Sequence, residues 1–183
     1  MSGTNADPHA DLRALVRTIP DHPKPGILFR DITTLLLDPE GFAATIDRMA
    51  DAVSGPFDLV AGIEARGFVF AAALAHRLNA GVLLIRKRNK LPGAVIGVNY
   101  ALEYGEDRVE MHADACSPGA RVLLVDDLIA TGGTAIAGAE LIRRAGGIVA
   151  QAAFVIDLPD LGGADRLRAA GVASVTLMAF EGH

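Results

Sequence analysis

Two adjacent carboxylates, Asp126 and Asp127, stand between an apolar run and a small, glycine-rich turn in the stretch VLLVDDLIATGGTA, Val122 to Ala135. Neighbouring acids in that setting can accept hydrogen bonds from neighbouring hydroxyls, such as the 2′ and 3′ of a ribose. Next comes Ala130-Thr131-Gly132-Gly133-Thr134, whose glycines permit positive φ and close backbone approach and whose threonines add hydroxyl donors. Backbone N–H groups there would converge on an anion. Ala135 to Arg144 reads as a helix with Ile136, Leu141 and Ile142 for its buried face, so the anion would also lie at a helix N-terminus and its partial positive charge. The parts together suit a sugar-phosphate. An ordinary βα connection capped by Thr134 is the plainer reading of the acids alone; the ordered whole favours the ligand.

Two commoner nucleotide motifs are excluded. Gly133 to Gly138 has P-loop spacing, but Ala139-Glu140 follows where Lys and Ser/Thr should stand, and no G-x-G-x-x-G opens a helix. A second charged feature is the run Arg86, Lys87, Arg88, Lys90, directly after an apolar strand in a chain of net charge −5. Alone, it reads as a solvated charge run. Beside a departing polyphosphate, fixed cations would stabilise the developing negative charge. Phe29, after the Pro25-Gly26 turn, could stack on a flat heteroaromatic ring, although a Phe flanked by Ile27, Leu28 and Ile32 is more commonly a core residue.

The elements that must position these groups alternate. Apolar β-rich segments and Ala/Leu-rich helical ones succeed each other, the signature of a parallel sheet flanked by helices. Helices are expected at Asp11 to Thr18, Pro39 to Val53, Gly67 to Leu78, Ala135 to Arg144 and Gly163 to Ala169. Strands are expected at Leu59 to Ile63, Val82 to Ile85, Val122 to Val125, Ile148 to Ile156 and Val172 to Met178. The first strand of each βα pair is a near-continuous apolar run, as in a sheet covered on both faces. Asp126 and Asp127 then fall at a carboxyl end, where open α/β sheets bind ligands. Arg86 to Ala120 breaks the alternation with Pro92, several glycines and patches such as Val95 to Tyr100 that fit an antiparallel excursion. A long insertion of that kind is often a functional lid.

Two acids followed by ATGGT after an apolar strand resemble the phosphoribosyl pyrophosphate (PRPP) motif of type I phosphoribosyltransferases. Phe29-Arg30-Asp31-Ile32, Glu64-Ala65-Arg66-Gly67-Phe68, the basic run Ile85 to Gly93 and Leu102-Glu103-Tyr104-Gly105 resemble, in the same order, the adenine phosphoribosyltransferases of that family. The blocks cover the chain from about Pro25 onward. The resemblance implies an α/β fold of the type I phosphoribosyltransferase kind, with a twisted, mainly parallel sheet, an N-terminal hood and a flexible catalytic loop. It implies one domain over 1–183, with 1–35 as arm and base-binding hood and 86–120 as the flexible insertion.

It further implies transfer of the phosphoribosyl group from PRPP to adenine, giving AMP and pyrophosphate, with Mg²⁺ carried by PRPP rather than by a protein cage. Arg66, Arg86 and Lys90 would contact pyrophosphate. Glu103 would be the catalytic acid/base beside Tyr104. The hood would sandwich adenine at Phe29 and read its edge through backbone groups of Leu28 and Arg30, while Asp126, Asp127, Ala130, Thr131, Gly132, Gly133 and Thr134 bind the sugar-phosphate. The family is commonly homodimeric. Thr33-Thr34 departs from its usual Thr-Pro, and Ala65 stands where Ser is also common; neither touches a proposed contact.

Composition agrees with an enzyme of one domain. With 183 residues, 51% of them hydrophobic, and mean hydropathy +0.33, the chain can build a substantial core. No apolar run reaches the roughly 18 residues of a membrane span, and the polar, acidic MSGTNADPHA is not signal-like, so a cytoplasmic location without membrane association is expected. Net charge −5 argues against sequence-independent nucleic-acid binding, which needs a basic surface. The lone Cys116 excludes an intramolecular disulfide and reads as structural rather than nucleophilic. The five histidines form no metal-ligand spacing.

Overall fold

The computed structural model describes residues 7–101 and 105–182. In chain order its elements are α1 (Ala10–Ala14), β1 (Arg17–Pro20), β2 (Leu28–Asp31), α2 (Thr33–Leu37), α3 (Pro39–Ala52), β3 (Leu59–Ile63), α4 (Gly67–Leu78) and β4 (Gly81–Lys87). There follow β5 (Val95–Ala101), β6 (Glu106–His112), β7 (Arg121–Ile129), α5 (Gly133–Arg144), β8 (Ile148–Asp157), a 3₁₀ turn (Pro159–Leu161), α6 (Gly163–Ala169) and β9 (Ala173–Ala179).

Seven strands form one sheet in the order β5-β6-β4-β3-β7-β8-β9, and β1 and β2 form a separate antiparallel pair. From β4 to β9 the sheet is parallel, while β6 joins β4 antiparallel and carries β5 with it. The crossover β3-α4-β4 moves one way along the sheet and β7-α5-β8 moves the other. With both crossovers right-handed, α4 and α5 must lie on opposite faces. Alternation along β7 then divides the core in two: Val122 and Leu124 pack with Ile63, Ile85, Leu141 and Ile142 on the α5 side. Leu123 and Val125 pack with Phe70, Leu74 and Met49 on the α3/α4 side. The point where the strand order reverses, between β3 and β7, is where such sheets open a crevice at their carboxyl ends.

Several boundaries differ from the sequence expectations. The helix expected over Asp11 to Thr18 stops at Ala14, because Thr18 and Ile19 have an extended partner: β1 pairs with β2 in the register Thr18↔Arg30 and Ile19↔Phe29. Thr34, at the departure from Thr-Pro, donates its hydroxyl to the Leu15 carbonyl at 2.5 Å and so ties α2 to the end of α1. The strand expected to end at Val125 runs on to Ile129, since β8 continues beside it through Asp126↔Phe154, Leu128↔Ile156 and Ile129↔Asp157. The following helix opens two residues early, at Gly133. Part of 86–120 is regular: Arg86 and Lys87 belong to β4, and the antiparallel excursion at Val95 to Tyr100 is strand β5, paired with β6 from Val95↔His112 to Ala101↔Glu106.

The base of the hood is fixed by Asp31, which is buried. Its carboxylate accepts hydrogen bonds from the Thr33 N–H (3.0 Å), from Arg17 (2.5 Å) and from the Thr33 hydroxyl (2.8 Å). These partners, the Thr33 amide foremost, pull its pKa from an ordinary 3.8 to about 2. A depressed carboxylate contributes stability that is complete above its unfolded pKa and is lost as pH falls through the folded one. The melting temperatures of the protein and of Asp31→Asn should therefore differ most above about pH 4 and converge toward about pH 2. A gap independent of pH would contradict this role.

Candidate active site

The register explains why the two acids are available. β3 pairs with β7 only as far as Gly62↔Val125, after which its chain turns at Glu64-Ala65, through a cis peptide bond, into α4. From Asp126 onward β7 therefore keeps β8 on one side and has on the other a notch closed at its base by Gly67, which stands against Asp126. Asp127, itself buried, accepts a hydrogen bond from Arg66 Nε at 2.5 Å. Asp126 Oδ1 accepts from the Asp127 N–H at 2.9 Å. Burial first, and the neighbouring Asp127 charge second, push the Asp126 pKa well above the ordinary carboxylate range, favouring its protonated form over a wider pH range than an exposed aspartate's.

Beyond the acids lies a pocket of about 110 Å³ lined by Asp126 and by Leu128 to Ala135. Ala130, Thr131, Gly132, Gly133 and Thr134 are thus all on its wall, as the sequence pattern requires of an anion cradle. Gly132 is the N-cap of α5 with φ +81°, a left-handed conformation that L side chains rarely adopt. A Cβ there would also stand 2.8 Å from the Gly163 carbonyl oxygen, and one on Gly163 would collide with the Ala130 carbonyl. The loop and the start of α6 are therefore in backbone contact that only two glycines allow. The pocket sits at the N-terminus of the 12-residue α5, where the first-turn N–H groups of a helix have no intrahelical partner and the helix-end potential is positive.

Cations border the same crevice. Arg66 is the N-cap of α4; besides binding Asp127, its guanidinium lies 5.9 Å from the centroid of the Phe29 ring. Because Ile63 and Ile85 are register partners, the next residues meet: Arg86 Nε donates to Glu64 Oε2 at 2.9 Å, and the Lys87 N–H donates to the same oxygen at 2.8 Å. The Arg86 bond is the main reason the Glu64 pKa is lowered. Lys87 Nζ lies between Asp107 (2.6 Å) and the Tyr100 hydroxyl (2.5 Å). Lys90 is exposed in the turn after β4, with its charge adding to the pull on Glu64. Glu103 and Tyr104 lie outside the described residues. β5, which leads to them, ends at the pocket's rim: a Cβ on Gly133 would be 3.5 Å from the Ala101 carbonyl.

The hood strand β2 presents two different sides. Phe29 faces Arg66 and makes an edge contact with His22 at 5.1 Å. Arg30 turns the other way, donating to the Thr18 hydroxyl (2.7 Å) and the Glu181 carbonyl (2.8 Å). Pro20 has no N–H and stands opposite Leu28, so that pair is non-hydrogen-bonded and, by alternation, so is Thr18/Arg30. The N–H and C=O groups of Leu28 and Arg30 therefore point away from β1, along a free strand edge.

The phosphoribosyl transferase domain family model matches residues 33–176 of the chain. The adenine phosphoribosyltransferase of Azorhizobium caulinodans is 56% identical over 177 residues, covering 96% of this chain and 99% of the relative. The chain belongs to the phosphoribosyltransferase family, in its adenine phosphoribosyltransferase branch. Among solved structures, the adenine phosphoribosyltransferase of Rhodothermus marinus superposes with TM-score 0.88 at 45% identity, covering 93% of this chain and 97% of that one. The Saccharomyces cerevisiae enzyme, complexed with an iminoaltritol bisphosphate and adenine, does so with TM-score 0.84 at 34% identity, over 92% and 97%. The type I phosphoribosyltransferase fold expected from the sequence is thus the fold observed, and the protein is a pentosyltransferase.

Within that family framework, sequence reasoning missed roles for Glu64 and Gly163 in the site. Glu64 sits in the quoted Glu64-Ala65-Arg66-Gly67 block, and a β3/β4 register would have paired it with Arg86. Gly163 had one local signal, its neighbour Gly162, but its contact with Gly132 spans 31 positions of chain and has no sequence pattern. Cys116 is buried, and burial pushes its thiol pKa up, which keeps it a thiol and agrees with a structural role.

Proposed function

We propose that the enzyme joins the 5-phosphoribosyl group of PRPP to N9 of adenine, with the β7 notch holding the sugar, the α5 N-terminus the 5′-phosphate and the Arg66 side of the crevice the pyrophosphate. One observation carries the reading: Arg66 bonds Asp127 at 2.5 Å while lying 5.9 Å over the Phe29 ring, so the residues assigned to sugar, leaving group and base converge on one guanidinium. As PRPP enters, the ribose hydroxyls compete for Asp127 and the pyrophosphate for Arg66, and each partner of the ion pair gains a ligand contact in exchange.

The electrophile is C1′. Its bond to pyrophosphate oxygen breaks with the electron pair leaving on pyrophosphate, and the sugar passes through an oxocarbenium-like state. Arg66, Arg86 and Lys90 stabilise charge that grows on the leaving oxygens, which lowers the barrier more than it tightens the ground state. Adenine N9 then bonds to C1′ from the opposite face; its proton passes to Glu103, with Tyr104 beside it. Phe29 stacks on the purine, and the outward backbone edge of Leu28 and Arg30 offers both a donor and an acceptor to the adenine edge. Guanine presents the reverse pattern.

Among the described residues, no three His, Cys, Asp or Glu side chains are grouped to hold a metal. The acid pair offers two carboxylates, one against Gly67 and one on Arg66, a donor set that fits an ion carried by the substrate's own oxygens and reached through the sugar hydroxyls. Mg²⁺, a hard cation that keeps several waters, would neutralise charge on the pyrophosphate. A homodimer is supported by Val69 on α4 and Val82 and Leu84 on β4, which stay 42%, 46% and 42% exposed. No helix among the described residues is long and apolar enough to cross a membrane.

Pyrophosphate release should occur with adenine and not with guanine, hypoxanthine, xanthine or orotate. Phe29→Ala should raise the KM for adenine by about 5- to 100-fold, the value of one base–aromatic stack. Equal rates with guanine, or an unaltered adenine KM in the variant, would overturn the assignment of the hood.

A further inference from the structure

We propose that Phe180 is a positioning residue for base recognition, holding strand β2 at a fixed distance from the phosphate pocket. The inference rests on adenine meeting the β2 edge, as argued above. Two guanidinium groups lie over the Phe180 ring, Arg13 at 4.7 Å and Arg30 at 4.8 Å from its centroid. Both arginines also grasp its backbone neighbours: Arg13 Nη1 donates to the Ala179 carbonyl at 2.6 Å, and Arg30 Nη2 to the Glu181 carbonyl at 2.8 Å. Arg30 Nε is buried with no hydrogen-bond partner, so the fork is held by its two ends and by the ring face beneath it.

The other side of the clamp is anchored to the sheet. The Phe180 N–H donates to the Asp157 carbonyl at 3.0 Å, and the Gly182 N–H to Asp160 Oδ2 at 2.8 Å. Asp157 is the register partner of Ile129, the last residue of β7, which lines the phosphate pocket. A continuous path therefore runs from the pocket through β7, β8 and Phe180 to Arg30, and Leu28 packs at the far end beside Gly182. Both residues whose backbone faces the base have side chains on this segment. Without the ring, β2 keeps its pairing with β1 and the Arg30 bond to the Glu181 carbonyl but loses the aromatic face that fixes the Arg30 guanidinium, so the spacing between the base edge and the sugar subsite is held less tightly. Adenine then binds only the fraction of hood conformations that present the edge at the right spacing, which raises its KM while leaving the aligned complex that reacts unchanged.

The test measures steady-state AMP synthesis and magnesium-PRPP binding in Phe180→Ala, Phe180→Leu and Phe180→Tyr. Loss of two cation–π contacts should raise the adenine KM about five- to tenfold in the Ala and Leu variants. kcat at saturating adenine and the Kd for magnesium-PRPP should stay within about twofold of the parent, and Tyr, which restores the ring face, should restore the KM. Leu keeps apolar bulk, so it serves if the Ala variant fails to fold. An unchanged adenine KM in the Leu variant, or a parallel rise in the PRPP Kd that Tyr does not reverse, would overturn the proposal. Phe29→Ala run alongside separates the two ideas: if it raises the adenine KM while Phe180→Leu does not, the brace alone fails; if neither moves it, the base-binding role of β2 fails as well.

Discussion

Replacing Asp126 and Asp127 together by asparagine lowers kcat/KM for PRPP by about 10²- to 10⁴-fold, because two hydrogen bonds to carboxylates, each worth about 1.5–3 kcal/mol, are lost or weakened. The fold should survive. Asp126 is half-buried and its charged form is disfavoured by desolvation and by Asp127, so a neutral isostere is tolerated at the position. Arg66 loses a charged partner at Asp127 but is itself 51% exposed on its side chain, where an ion pair contributes little to stability. The diagnostic result is thus a collapse of AMP synthesis with the melting temperature held. Activity within a few-fold of the parent would mean that the acids do not hold the sugar.

The second large effect is expected at the contact between the phosphate loop and α6. Gly132→Ala places a Cβ 2.8 Å from the Gly163 carbonyl in a residue at φ +81°. The left-handed conformation costs an L residue about 1–2 kcal/mol, and overpacking against backbone adds about 1–3 kcal/mol. Unfolding in urea should register the sum, and the Kd for magnesium-PRPP should rise by about 100-fold as the loop amides are displaced. Gly26→Ala is the internal control: its φ is +88°, yet no atom lies within 4 Å of the added Cβ, so only the dihedral cost applies. If the two variants behaved alike, the loop–helix contact would have no part in phosphate binding.

How much of this was legible in the sequence depends on whether the signal was local. Gly67 to Leu78 and Gly163 to Ala169 have the expected bounds to the residue, because a glycine opens each helix and the apolar spacing runs unbroken. Pro39 announced α3 in the same way, as the first helical residue after an Asp38 cap that accepts the Gly41 N–H at 2.7 Å. Arg17 and Thr18 are strand where helix is expected, since their strand exists only through pairing with Asp31 and Arg30, more than ten positions away. The extension of β7 past its acids was hidden for the same reason: Asp126 is extended because Phe154 lies beside it.

The site divides along the same line. Asp126, Asp127 and Ala130 to Thr134 lie in one continuous stretch whose order carries its chemistry, and the structure puts Asp126 and Ala130 to Thr134 on one pocket wall with Asp127 beside it on Arg66. Arg66, Arg86 and Phe29 are remote from it in sequence, and only resemblance to a family placed them nearby. Nothing in residue type indicated that Arg66 would pair with Asp127, that Arg86 would pair with Glu64, or that Arg30 would turn its side chain toward Phe180 and leave only its backbone for the base. Those facts belong to the reversal of strand order between β3 and β7 and to the period-two alternation of β2.

The most direct test is a calorimetric titration of the protein, and of the Asp126→Asn/Asp127→Asn variant, with magnesium-PRPP in the absence of adenine. Saturable binding with one site per chain, weakened by at least about 100-fold in the variant, is the predicted result. No binding to the parent, or equal affinity in both proteins, would contradict the assignment of the β7 notch to the sugar-phosphate.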